Sequence, residues 1–70
     1  MSKDPRTMPG PAADLSSATT ALEELATRFA QLAGEYASAA QDHAAAELYA
    51  VEASMTSAAR RMRRVLRSEA

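Results

Sequence analysis

Five arginines fall within eight residues near the end of the chain: Arg60, Arg61, Arg63, Arg64 and Arg67, in the stretch AARRMRRVLRSEA over residues 58–70. Guanidinium groups at this density can hold phosphates or carboxylates, so the first chemistry they suggest is contact with a nucleic-acid backbone or an acidic partner. Their surroundings argue for a plainer role. No aromatic residue is interleaved with them for base stacking, and no short recognition helix preceded by a turn can be read nearby. The body of the chain is acidic, with a net charge of -6 over residues 14–57 against +4 over 58–70 and +1 over 1–13, hidden inside a total of -1. An acidic body repels a phosphate backbone, whereas cations in the last turns of a helix interact favourably with the negative end of its dipole.

A second cluster is Asp42, His43 and Glu47, with His43 and Glu47 four residues apart on one helical face. A metal site built on it would need ligands from another copy. A capping aspartate followed by a surface His–Glu pair accounts for the same residues. With one histidine and no cysteine, neither a multi-histidine nor a thiolate site is available, and the Glu-Xaa-Xaa-His pattern of carboxylate-bridged bundles does not occur. None of the seven serines sits in a glycine-rich strained turn, and Gly10 and Gly34 cannot form a phosphate-cradling loop. The expectation is a chain that is not an enzyme, with no catalytic residue, metal or cofactor.

The elements that would carry these residues are helical. Residues 1–13 hold all three prolines and one of the two glycines and are expected to form a disordered arm. From Leu15, apolar residues recur at heptad spacing in two rows, Leu15, Leu22, Phe29 and Tyr36 beside Ala18, Leu25, Leu32 and Ala39. A second series, Ala44, Leu48, Val51, Met55, Ala58, Met62 and Val65, is out of phase with the first. The phase break predicts a helical hairpin over residues 14–68: helix 1 about 14–40, a turn about 41–43 with Asp42 as N-cap, and helix 2 about 44–68. A turn at Gly34 or one unbroken rod are the alternatives. Charge favours the first, because folding there sets Glu23 and Glu24 near Arg60 and Arg61. In the second register Arg60, Arg63, Arg64 and Arg67 take outer positions and Arg61 flanks the seam.

Seventy residues without a disulfide leave a thin core, so an all-α antiparallel hairpin of this size is expected to complete a four-helix bundle by dimerisation or by docking on a partner. The expected interface is Leu22, Leu25, Phe29, Leu32, Tyr36, Leu48, Tyr49, Val51, Met55, Met62 and Val65. Tyr49 is included as a flanking ring that can bury its face and keep its hydroxyl wet. No stretch is long and apolar enough for a membrane span, and no signal-peptide core is present, which places the chain in the cytoplasm as an expectation. The function expected is a protein–protein interaction or regulatory module acting on itself as a homodimer or on a larger protein. The alternative is a small nucleic-acid-binding regulator using the five arginines.

Overall fold

The computed structural model describes residues 10–69, with side chains for residues 10–68, as two helices that run antiparallel and pack along their length. Helix α1 spans Gly10–Ser38 and helix α2 spans Asp42–Glu69. Of the expected arm, residues 10–13 belong instead to the first turn of α1. Proline is tolerated at that place because its missing N–H is one of the donors the first turn leaves unpaired, and Ala12 and Ala13 then propagate the helix. Residues 1–9 lie outside the described part of the chain.

The turn comes at Ala39–Gln41, earlier than the spacing predicts. The Gln41 N–H donates to the Tyr36 carbonyl at 2.9 Å and the Ala40 N–H to the Ala37 carbonyl at 3.0 Å, which is the pair of bonds that closes a Schellman cap. Ala40 supplies the left-handed residue such a cap requires, with φ at 61°. Glycine is the usual choice there because it has no Cβ to crowd the following carbonyl. Helix α2 begins at once: the Ala45 N–H donates to the Gln41 carbonyl at 3.0 Å, so Gln41 takes the capping position. Asp42, expected to be the cap, lies in the first turn, where its carboxylate faces the positive end of the helix dipole. Gly34 sits inside α1 and ends nothing.

The line along which the helices meet is made of small side chains. On α1 it is Ala12, Thr19, Ala26 and Ala33, one every seven residues, with relative exposures of 9, 0, 5 and 0 %. On α2 it is Ala45 and Ala59, 4 and 3 % exposed, with half-buried Glu52 midway between them. Thr19 satisfies its buried hydroxyl by donating to the Leu15 carbonyl at 2.7 Å. Of the two rows expected on α1, Leu15, Leu22 and Phe29 are half-buried, while Ala18, Leu25, Leu32 and Ala39 are exposed and the alanine and threonine row takes their place. On α2, Leu48, Met55 and Met62 are half-buried, and Val51 and Val65 are exposed. Side chains this small let helix axes approach to about 8 Å, the close end of ordinary packing, and at that separation a leucine has no room between the backbones. The large residues are therefore set to one side of the line.

Two substitutions test this arrangement. Ala33→Leu inserts three heavy atoms where there is no space and is expected to destabilise the hairpin by about 1–3 kcal/mol in urea unfolding. Ala40→Gly relieves the left-handed alanine and is expected to stabilise by about 0.5–1 kcal/mol, after the extra freedom glycine gives the unfolded chain is counted.

Candidate interaction face

A hairpin of two helices has two broad sides, and heptad position decides what each displays. On both helices the residues three after the small row, and those six after it, fall on the same side, because an antiparallel pair keeps corresponding flanks together. That side collects Leu15, Leu22, Phe29 and Tyr36 with Leu25 and Leu32 from α1, and Leu48, Met55 and Met62 with Val51 and Val65 from α2. Leu25, Leu32, Tyr36, Val51 and Val65 remain 40–48 % exposed, which is high for residues of this size. Ten of the eleven residues expected at an interface lie on this side.

The eleventh, Tyr49, does not. Its hydroxyl lies 4.0 Å from where a Cβ would stand on Gly34, on the opposite side of the plate. That opposite side is polar. A crevice there is lined by Glu23, Thr27, Glu52, Thr56, Arg60 and Arg63. The Arg63 guanidinium donates from Nε to Glu23 Oε2 at 2.7 Å and from Nη2 to Glu23 Oε1 at 2.5 Å, a bidentate pair that ties the two helices together. The Thr56 hydroxyl donates to Glu52 Oε2 at 3.0 Å, which satisfies the one carboxylate on the central line of α2.

Spacing placed Arg63 outward and Arg61 beside the seam; the structure exchanges them. Arg63 reaches across to α1, Arg60 borders the same crevice, and Arg61 stands beside Ser54, Ser57 and Ala58 on the outer flank of α2. Arg64 and Arg67 are exposed. The five arginines are therefore spread around the helix and form no single basic groove. His43 and Glu47 are exposed on the outward side of α2, and among the described residues no three His, Asp or Glu side chains converge as a metal site would require. No described helix is long and apolar enough to cross a membrane.

Spacing set Glu23 and Glu24 against Arg60 and Arg61, whereas the observed pair, Glu23 with Arg63, lies within a turn of that. The residues that spacing missed are the small ones, Thr19, Ala26, Ala33 and Ala59. The signal was present in the sequence as a seven-residue recurrence of alanine and threonine, but it was masked by larger residues recurring at the same period.

The Glu23 carboxyl is held below the usual carboxylate range, chiefly by the hydrogen bond from Arg63; partial desolvation opposes this, and the arginine charge adds to it. Arg63 is correspondingly raised. Because the folded carboxyl titrates below the unfolded one, its contribution is complete at neutral pH and is lost as pH falls through the depressed value. Glu23→Gln should accordingly lose less thermal stability than the native chain between pH 7 and strong acid, as followed by circular dichroism. Molar salt should narrow the difference, since the pair is exposed.

Comparison with known proteins finds no family model, no relative in sequence and no solved structure that matches this chain.

Proposed function

We propose that the chain is a small non-catalytic protein–protein interaction module that works by having its leucine-rich side covered. The cover is either a second copy, completing a four-helix bundle, or helices of a larger protein that the module regulates by occupying its surface. The observation that carries this reading is the gathering of Leu25, Leu32, Tyr36, Val51 and Val65 on one side of a plate one helix thick, with Cα extents of 53 × 25 × 12 Å. Contiguous apolar surface of this kind marks interaction sites, and its burial adds about 25 cal/mol per Å² to a fold whose own seam is mostly alanine.

A nucleic-acid regulator is the second reading. It is favoured by Arg60, Arg64 and Arg67, which are exposed and lie off the leucine-rich side, so that covering that side would leave them accessible.

The two readings respond in opposite ways to salt and to substitution. The tagged chain is used to capture material from cell extract with and without nuclease, at low and high salt. Bound protein is expected to survive both treatments, to be lost with Leu25→Asp/Leu32→Asp and to persist with Arg60→Gln/Arg64→Gln/Arg67→Gln. Nucleic acid that leaves with salt and is abolished by the arginine variant alone would overturn the proposal, because phosphate contacts weaken steeply through counterion release.

A further inference from the structure

Resting on the reading of the leucine-rich side as an interface, we infer that its occupant is a second copy of this chain, stacked so that α1 lies antiparallel on α1 and α2 on α2. The charges on the margins carry this. The outer margin of the leucine-rich side carries Arg28 and Glu35 on α1 and Glu47 and Arg61 on α2, all exposed. Glu35 shares an open recess of about 270 Å³ with Leu32 and Tyr36, and Arg61 borders Ala58.

The Glu23–Arg63 bond sets the register within one chain, so nine residues further along, Leu32 lies opposite Ser54. A half-turn about an axis perpendicular to the helices, passing between these two points and a second hairpin, brings Arg28 of one copy opposite Tyr36 of the other. Arg28 is then one residue from Glu35, and its aliphatic stem meets the recess formed by Leu32 and Tyr36. The same half-turn sets Glu47 of one copy opposite Arg61 of the other. Symmetry repeats both pairs, so opposite charges meet at all four corners of the margin.

Two such hairpins can also be stacked face to face by a half-turn about an axis along the helices, which places α1 on α2. Arg28 then falls within three residues of Arg61, and Glu35 within four of Glu47. At 1.5 Å per residue these offsets are about 5–6 Å, so like charges crowd both margins. The margin thus selects the first stacking and disfavours the second. The size of the face fits a second copy as well. Two helices some 8–10 Å apart and about 40 Å long present roughly 800 Å², which is what each partner contributes to an interface of standard size.

The test is the dimer dissociation constant of the full chain by sedimentation, for the native protein and for Arg28→Glu, Glu35→Arg and the double exchange, with circular dichroism as the check on folding. Each single change is expected to weaken the dimer by roughly tenfold, since it replaces attraction by repulsion at two symmetric places. The double exchange is expected to return it close to the native value. The chain has no cysteine, so Gln41→Cys gives a unique labelling point at the turn. Spin labels there should lie about 30 Å apart, against about 15 Å in the other stacking. Tightening by either single change, or the shorter label distance, would overturn this stacking and leave the interface reading intact. A native chain that stays monomeric through the high-micromolar range would overturn the second copy as occupant. A dimer indifferent to Leu25→Asp/Leu32→Asp would instead overturn the interface reading itself.

Discussion

Everything in this hairpin follows from how closely its two helices approach. Thr19, Ala26 and Ala33 on α1 and Ala45 and Ala59 on α2 are buried almost completely because they are small enough to lie between the backbones. Close approach gains dispersion contacts along the whole line, but alanine has little apolar area to remove from water. The line therefore supplies order more than energy. It also decides the fate of every larger residue: with no room on the axis between the helices, leucine, phenylalanine, tyrosine and valine must stand on a flank.

Both flanks are not treated alike. One carries the Glu23–Arg63 clamp, the Glu52–Thr56 bond and the Tyr49 hydroxyl over Gly34, groups that tolerate water. The other carries the leucines and valines, half covered by their neighbours and half exposed. This division gives the plate a wet side and a side whose burial is still to be gained. An association that covers the second side leaves the first, with its ion pair, undisturbed. The Schellman cap at Ala40 holds the two helices in the register that makes the division possible, at the cost of a left-handed alanine.

The helical hairpin was legible in the sequence, because two heptad series out of phase cannot share one straight helix and because acidic and basic halves meet when the chain folds back. Which row forms the contact line was harder to read. On α1, three rows at the same seven-residue period lie side by side, and Leu15, Leu22 and Phe29 form the middle one. Size pointed to Leu25 and Leu32 as its companion, whereas packing chose the row of alanine and threonine on the other side. Spacing cannot separate these, since the choice depends on interhelical distance, a property of the two helices together. The turn was obscured for a local reason: its left-handed residue is an alanine, and nothing in AAQDHAAAE marks that position as glycine or asparagine would. Tyr49 was assigned to the apolar flank because neighbouring positions on a helix wheel differ in facing only by the side of the contact line, and that line had been drawn one row away.

The central claim is that alanine and threonine, not leucine, lie between the helices. It is tested most directly by methyl–methyl nuclear Overhauser contacts in isotopically labelled protein diluted into an excess of unlabelled chain, so that only contacts within one chain are seen. The account predicts a contact between the Ala26 and Ala59 methyl groups, both buried and bordering the same crevice, and none from Leu25 or Leu32 to α2. Strong contacts from Leu25 and Leu32 to α2, with Ala26 silent, would contradict it.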